Sequence, residues 1–366
     1  MKAEGEFTFG FPFLVSFKSS ENAKFADMKI LFNIIAVCLS MLVLNSCEES
    51  TQQESNTPEE KKEAPQDYIE ELSDQIINSP NNGNLYVKRA LAYSERNLMS
   101  LAVKDAERAL SIDTTVSYFH QVLGEVNFLK GDLRPARLSL EQAAELDPSN
   151  IEALLKLAEV YFLLRRYDEA ITAVNDALRQ DNQLAQGYFI KGYVYKETGD
   201  TVTAKSSFQT AIEVNPDLYE AYMELGSLYA FQGDPLALEY FNSALQIRPK
   251  SAEAFYHKGM FLQAGYRIDR ARDTYFEMLR ADPNNVLGYY NLGYLYLTEY
   301  LAFDTAVAYF DSAIVVRPDY VDAIYNRGLA YEEMELYGDA ETSYREALVV
   351  NPQYDLAAKG LSRILE

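Results

Sequence analysis

The residue pattern of this chain repeats about every 34 positions, and no other feature limits its fold as strongly. The eighth position of each unit is always small, and six of the eight residues there are glycine. Glycine inside a helix costs about 1 kcal/mol relative to alanine, so a glycine column implies a compensating contact. We therefore expect a neighbouring helix to pack closely against this position. The small residues are Ala90, Gly124, Ala158, Gly192, Gly226, Gly259, Gly293 and Gly328.

Further along each unit, alanine columns mark a second helix. An alanine is followed four residues later in most units by a larger side chain, and after three more residues usually by another alanine, as in Ala204, Phe208 and Ala211. This spacing places the three residues on one helical face. Proline, which cannot continue a helix, closes six units. The units span 83–116, 117–150, 151–184, 185–218, 219–251, 252–285, 286–320 and 321–354.

The combination of small residue, tyrosine, alanine, aromatic residue, alanine and proline resembles the tetratricopeptide repeat. The resemblance covers residues 83–354 and implies an all-α, right-handed superhelical solenoid of antiparallel helix pairs. Two departures are small, because the unit at Tyr219 is one residue short at its interhelical turn and the unit at Val286 is one residue long. Residues 67–82 and 355–366 are predicted to form capping helices at the two ends.

The segment before the repeats is typical of an export signal. Residues 28–46 contain a lysine, an apolar run from Ile30 to Leu44 and then small residues, which together predict a signal peptide. The sequence from Leu44 to Cys47 resembles a bacterial lipobox, and this resemblance implies that Cys47 becomes lipidated, for example with palmitate. The alternative is an ordinary signal peptide in which the cysteine is incidental.

The flanking segments fit the same interpretation. Residues 47–66 lack aromatic and large aliphatic side chains, so we expect a disordered acidic tether between the lipid and the repeats. Residues 1–27 precede the signal and match nothing after it, which indicates a misassigned start or an unstructured extension. The alternative is a genuine cytoplasmic extension, with the apolar run retained as a signal anchor.

Composition argues against several classes of function. The net charge of -22 repels phosphate backbones, so nucleic acid is not expected as a partner. The chain has two histidines and two cysteines, and no histidine has a neighbouring cysteine, so we predict neither a metal site nor a cofactor. No phosphate-binding loop or catalytic constellation is apparent, and we expect no enzymatic activity. The sequence does not indicate an oligomeric state.

Binding is expected in the concave groove. In the family that this sequence resembles, the fifth and ninth positions of each unit point into that groove, where aromatic and methionine side chains often act as hot spots. The alternative is that these side chains only pack on one another and stiffen the array. The predicted groove residues are Phe189, Tyr193, Met223, Tyr256, Met260, Tyr290, Tyr294 and Tyr325.

These features predict a scaffold or adaptor that is tethered to the membrane of the bacterial cell envelope and binds segments of other envelope proteins or peptides. We expect the protein to be lipid-anchored at the outer membrane, with either a periplasmic or a surface-facing orientation. The alternative function is a ligand-binding or nutrient-binding surface lipoprotein. Relatives with that function commonly stack sugars on tryptophan, and this chain has no tryptophan.

Overall fold

The structure is a computed structural model that describes residues 66–365, and all regular secondary structure within this range is α-helical. The all-α fold predicted from the sequence is therefore confirmed. The helices are α1 (Gln66–Asn78), α2 (Gly83–Glu95), α3 (Met99–Ile112), α4 (Ser117–Lys130), α5 (Leu133–Leu146), α6 (Ile151–Leu163), α7 (Tyr167–Gln180), α8 (Ala185–Glu197), α9 (Thr201–Val214), α10 (Tyr219–Phe231), α11 (Leu236–Ile247), α12 (Ala252–Ala264), α13 (Ile268–Ala281), α14 (Val286–Thr298), α15 (Phe303–Val316), α16 (Val321–Glu333), α17 (Tyr337–Val350) and α18 (Asp355–Leu365).

The helices pair in the order of the chain. Each of the eight predicted unit starts is the first residue of a helix, and each unit contains a first and a second helix that pack on each other. We number these units as repeats 1 to 8 from Gly83 onward. Every extensive contact joins helices that are one or two apart in order, so the described part is a solenoid of hairpins.

Side-chain caps fix the start of several first helices. The side chains of Asn150 and Asn285 accept hydrogen bonds from backbone N–H groups three residues ahead, both at 3.0 Å, and Ser251 makes the same contact at 3.1 Å. Each of these residues follows the unit-closing proline by two positions. Proline thus ends one unit, and the cap begins the next.

The small residue at the eighth position lies under a large side chain of the second helix. A Cβ atom added to Gly226 would approach the Phe241 ring to 2.5 Å, and one added to Gly293 would approach Phe310 to 2.8 Å. Both rings are fully buried. The close helix packing that the glycine column predicted is present, and burial of the rings offsets the low helix propensity of glycine.

Each interhelical turn contains one residue with a positive φ angle. Three of these residues are glycines, namely Gly131, Gly199 and Gly233, and in the other five repeats a larger residue adopts this left-handed conformation. The larger residues are Asn97, Arg165, Tyr266, Leu301 and Glu335. A left-handed residue thus recurs in the turn of all eight repeats, although the sequence of the turn varies.

Basic residues replace the usual leucine at the seventh position of four repeats, and three of them pair with acidic residues of the second helix. Arg89 contacts Asp105 at 2.6 Å, Lys258 lies 3.8 Å from Glu277, and Arg327 contacts Glu346. These ion pairs join the two helices of a hairpin. The alkyl stems of such side chains can also cover apolar surface while the charged groups pair.

Helices also cover both ends of the array. The leading helix begins at Gln66, which the sequence assigned to the tether, and ends at Asn78, before the predicted boundary at residue 82. The closing helix occupies most of the predicted 355–366 segment. The extension at 1–27, the signal peptide at 28–46, Cys47 and the tether as far as residue 65 lie outside the described residues. None of the helices from α1 to α18 is long and apolar enough to span a bilayer.

Candidate functional site

The predicted groove residues all lie on the first helices of repeats 4 to 8, and they differ in accessibility. Phe189 and Met223 are buried, and the other six are half-buried. The half-buried residues are Tyr193, Tyr256, Met260, Tyr290, Tyr294 and Tyr325. Neighbouring side chains therefore cover part of the surface of the residues that the sequence places in the groove.

Phe189 belongs to the core of repeat 4. Its ring lies 4.9 Å from the Tyr193 ring and 5.6 Å from the Phe208 ring, and only 4% of the residue is exposed. Met223 is buried in the same way, in a cluster that includes Phe241. Neither side chain offers surface to a partner in this conformation.

Tyr193 is held by polar contacts that cross to the next repeat. Its hydroxyl donates to Oε1 of Glu224 at 2.7 Å, and Lys196 binds the other oxygen of that carboxylate at 2.5 Å. The Lys196 ammonium also lies 5.4 Å from the Tyr193 ring centre. This triad fixes the position of Tyr193 and connects repeat 4 to repeat 5.

Tyr290 lies in a cluster of aromatic rings that connects repeats 7 and 8. Its ring centre is 5.0 Å from that of Tyr320 and 6.0 Å from that of Phe310, and its hydroxyl accepts a hydrogen bond from Asn326 at 3.0 Å. Burial raises the pKa of Tyr290 above its usual range and raises the pKa of Tyr320 to about 12. Both hydroxyls stay neutral at physiological pH, and the cluster contributes to packing.

Tyr325 makes similar contacts at the end of the row. Its ring lies 5.7 Å from the Tyr344 ring and 5.6 Å from the Tyr354 ring. The Tyr354 hydroxyl donates to Asp322 at 2.6 Å, which fixes the far side of this group. The alternative in which these aromatic side chains pack on one another and stiffen the array therefore accounts for much of the contact network at Tyr290 and Tyr325.

Met260 and Tyr294 are the two of the eight that belong to none of the apolar clusters around the buried core residues. Tyr294 makes one ring contact, at 6.5 Å to Tyr290, and its hydroxyl has no hydrogen bond to another described side chain. Burial raises the pKa of Tyr294, so its hydroxyl also remains protonated. Tyr256 is intermediate, because its ring packs edge-on against His257 at 5.6 Å. Met260 and Tyr294 are thus the predicted residues best able to contact a partner.

The groove positions of repeats 2 and 3 form a polar network. Gln121, which is buried, donates to Glu125 at 2.8 Å and to Glu152 at 2.9 Å. Lys156 binds Glu159 at 2.7 Å. Burial raises the pKa of Glu125, and the nearby carboxylates of Glu152 and Glu159 raise it further. The fifth and ninth positions of repeats 2 and 3 are thus mainly polar or acidic, whereas those of repeats 4 to 8 are mainly aromatic.

Sequence analysis missed one aromatic contact beside the groove. The Arg248 guanidinium lies 4.1 Å from the Tyr219 ring centre and contacts Glu220 at 2.6 Å, while the Tyr219 hydroxyl and Ser251 share a hydrogen bond of 2.6 Å. Tyr219 and Arg248 lie near opposite ends of repeat 5, 29 positions apart in sequence, and the fold of the hairpin brings them together. The repeat pattern carries no signal for this contact.

Within residues 66–365, no group of three or more histidine, cysteine, aspartate or glutamate side chains has the arrangement to hold a metal ion.

Comparisons with known proteins support one family. Three models of the tetratricopeptide repeat match this chain, at residues 128–187, 185–218 and 302–358. A solved structure of the C-terminal part of a TPR repeat-containing protein from Cytophaga hutchinsonii superposes with a TM-score of 0.56 at 18% identity. It covers 65% of this chain and 98% of that chain, and at this identity it supports the fold alone.

Two curated relatives are much longer than this chain. "Tetratricopeptide repeat protein 37" of Xenopus laevis is 24% identical over 298 residues, which are 79% of this chain and 19% of the frog protein. "Anaphase-promoting complex subunit 3" of Schizosaccharomyces pombe is 22% identical over 201 residues, 55% of this chain and 30% of the yeast protein. The chain therefore spans about a fifth to a third of the length of these relatives.

Proposed function

We propose, from the premise that this chain carries tetratricopeptide repeats, that it is a scaffold whose concave groove holds segments of other proteins. The binding section would run from repeat 4 to repeat 8, where the lining is aromatic. The bound segment would be extended or helical and would contact apolar side chains with neutral hydroxyls at their edge.

The observation that carries this proposal is that Met260 and Tyr294 are only half-buried. Both lie at the ninth position of adjacent first helices, and neither is committed to an internal hydrogen bond through its side chain among the described residues. A flexible thioether and a rigid aromatic ring are side chains that adaptable interfaces use. Tyr290 and Tyr325 would form the fixed wall behind them.

The test is chemical crosslinking in intact cells that produce the full chain, followed by identification of the crosslinked proteins. The double variant Met260→Ala/Tyr294→Ala should lose at least one defined partner at least tenfold. Val202→Ala, which alters an exposed apolar residue outside the groove, is the matched control. Unchanged crosslinking of every partner by the double variant would contradict the proposal.

Tyr290 is a poor site for such a test, because its ring supports repeats 7 and 8. Removal of the ring would combine a loss of stability with any loss of binding. Tyr290→Phe keeps the ring and removes only the hydroxyl that accepts from Asn326. We expect this variant to retain the partners.

We further propose that the scaffold is tethered to a membrane of the bacterial cell envelope by lipid at Cys47, with residues 48–65 as spacer. The support is the order of elements in the sequence: a lysine, an apolar run, small residues, a cysteine and then a polar segment. Several acyl chains on one residue anchor a protein stably. The partners would then be other proteins or peptides of the envelope.

A further inference from the structure

A buried hydroxyl in repeat 6 has no hydrogen-bond partner among the described residues. Tyr275 on α13 is fully buried, and its hydroxyl makes no hydrogen bond within residues 66–365. The hydroxyl lies beside α12, because a Cβ added to Gly259 would approach it to 3.0 Å. A buried donor without an acceptor costs free energy, and phenylalanine fills the equivalent site in repeats 4, 5 and 7. Packing therefore does not explain why repeat 6 has a hydroxyl here.

The equivalent hydroxyl in repeat 8 shows which positions surround this site. Tyr344 donates to Glu332 at 2.5 Å, and the same carboxylate binds Arg363 of the following helix, α18. The Tyr344 ring also packs against α18, where a Cβ added to Gly360 would approach it to 2.7 Å. Glu332 is at the twelfth position of its first helix, and Arg363 corresponds to the ninth position of the next. The hydroxyl is thus connected through one carboxylate to a groove position.

Between repeats 6 and 7 the corresponding side chains leave their polar groups unpaired. The twelfth position of repeat 6 is Gln263, and the ninth position of repeat 7 is Tyr294. Both residues are half-buried, and neither side chain makes a hydrogen bond to another residue within 66–365. Tyr275 shares an apolar cluster with Leu295, the residue after Tyr294, so its ring packs against α14. We call Gln263, Tyr275 and Tyr294 the junction cluster.

The junctions on either side of this cluster are apolar at the same three positions. The residues are Ala230, Phe241 and Met260 between repeats 5 and 6, and Leu297, Phe310 and Leu329 between repeats 7 and 8. This section of the groove therefore has one polar junction between two apolar ones. Binding sites combine a mainly apolar lining with a few polar groups that fix the position of the ligand. The junction cluster has this arrangement.

We propose that the junction cluster binds a backbone amide of an extended partner segment. This inference rests on the proposed function of the groove and specifies which kind of segment the groove accepts. A peptide group has one acceptor and one donor, which match the hydroxyl donors of the two tyrosines and the carbonyl and NH₂ groups of Gln263. The segment is extended, because a helix uses the backbone groups of its interior for its own hydrogen bonds.

The Tyr275 hydroxyl is covered in this conformation, so a groove side chain moves when the segment binds. Met260 follows Gly259 on α12 and belongs to none of the apolar clusters around the core. Its thioether side chain is flexible and changes rotamer readily. Burial raises the pKa of both Tyr275 and Tyr294, so both hydroxyls remain donors at physiological pH. Displacement of Met260 by the segment then allows the buried hydroxyl to donate to a backbone carbonyl.

The test uses short random peptides that are displayed on phage and selected on the full chain. Peptides that also bind Met260→Ala/Tyr294→Ala are discarded, and synthetic copies of the others are titrated by fluorescence anisotropy. Tyr275→Phe should weaken their binding about fivefold, the contribution of one hydrogen bond. Tyr309→Phe is the matched control, because it removes a hydroxyl from a ring that stacks on Tyr296 outside the cluster, and its affinity should stay within twofold. If every selected peptide also binds Met260→Ala/Tyr294→Ala, the groove itself is not a binding site.

Replacement of single peptide amides by esters then identifies the bound backbone group. An ester has no N–H and is a weaker acceptor, so one ester position should weaken binding to the wild type at least fivefold. In Gln263→Met/Tyr275→Phe, which lacks the groups that bind the amide, the same ester should cost less than twofold. Equal losses in the two proteins, or unchanged affinity of Tyr275→Phe, overturn the proposal while the groove remains a binding site. A helical circular dichroism signal of the bound peptides also overturns it.

Discussion

Tyr275 and Tyr344 occupy the same position in the second helices of repeats 6 and 8, and both are fully buried, but only one of the two hydroxyls has a partner. The Tyr344 hydroxyl donates to Glu332 at 2.5 Å. The Tyr275 hydroxyl makes no hydrogen bond within the described residues. Phe208, Phe241 and Phe310 fill the equivalent site in three other repeats, so this position does not require a hydroxyl.

Phenylalanine substitution should therefore have opposite effects at the two tyrosines. An unsatisfied buried polar group costs about 1–3 kcal/mol, so Tyr275→Phe should leave the free energy of unfolding unchanged or raise it by about 1 kcal/mol. Tyr344→Phe removes a hydrogen bond to a carboxylate and should lower the free energy of unfolding by about 1.5 kcal/mol. Urea unfolding monitored by circular dichroism measures both. Equal losses in the two variants would contradict this account.

Two glycine-to-alanine changes test the packing of the eighth position. Gly226→Ala places a methyl group against the buried Phe241 ring, and we expect a loss of about 1–3 kcal/mol despite the better helix propensity of alanine. Gly338→Ala lies in α17 with nothing within 4 Å, and it should stabilise by about 0.5–1 kcal/mol. Thermal unfolding of the two variants separates these effects. A stabilised Gly226→Ala protein would show that the contact is not tight.

His257 should make stability depend on pH between neutral and mildly acidic conditions. Burial against Phe241 lowers its pKa below the usual value of 6.5, and the carboxylates of Glu253 and Glu224 oppose this only in part. A folded-state pKa below the unfolded value means that the unfolded chain binds the proton first. The associated stability is complete above about pH 6.5 and is lost as pH falls through the folded pKa.

The variant His257→Gln should remove this pH-dependent contribution to the free energy of unfolding. Between pH 7 and pH 5, the free energy of unfolding of the variant should fall less steeply than that of the wild type. His120→Gln, at the other histidine, serves as the control for general effects of replacing an imidazole. An unchanged slope in His257→Gln would show that the folded and unfolded pKa values are the same.

The proposed anchor makes a prediction about residue 47. Cys47→Ala should prevent acylation, so the repeats should move from the membrane fraction to the soluble fraction or remain with an uncleaved signal. Metabolic labelling with palmitate and fractionation measure both effects. A peptide from residues 1–27 in the purified mature protein would contradict the predicted start at Met28, and an unlabelled wild type would contradict lipidation.

The sequence predicts the fold of this protein well because the same residue pattern occurs in all eight repeats. A single glycine such as Gly192 is compatible with several structural roles. Six glycines at the same register, each under a large second-helix residue such as Phe208, indicate close packing between the two helices. The start of every first helix follows from the same alignment. Side-chain caps such as that of Asn150 then make these starts local properties of the sequence.

The groove was harder to predict because a position in a repeat does not determine accessibility. Phe189 and Met223 occupy groove positions, yet rings from the second helices cover them. The Tyr290 hydroxyl accepts a hydrogen bond from Asn326 across a repeat boundary, which the pattern of one unit does not encode. The left-handed turn residues Tyr266 and Leu301 are not glycines, so the sequence does not reveal their backbone conformation.

The restriction of contacts to helices that are one or two apart also determines how the array responds to force. No extensive contact joins repeat 1 to repeat 8, so tension applied at the two ends passes through every interface in series. The array should lengthen elastically by small rotations at each interface, and it should then lose hairpins singly from an end. A chain held at one end and bound to a partner along its length would therefore behave as a compliant spring between the two attachments.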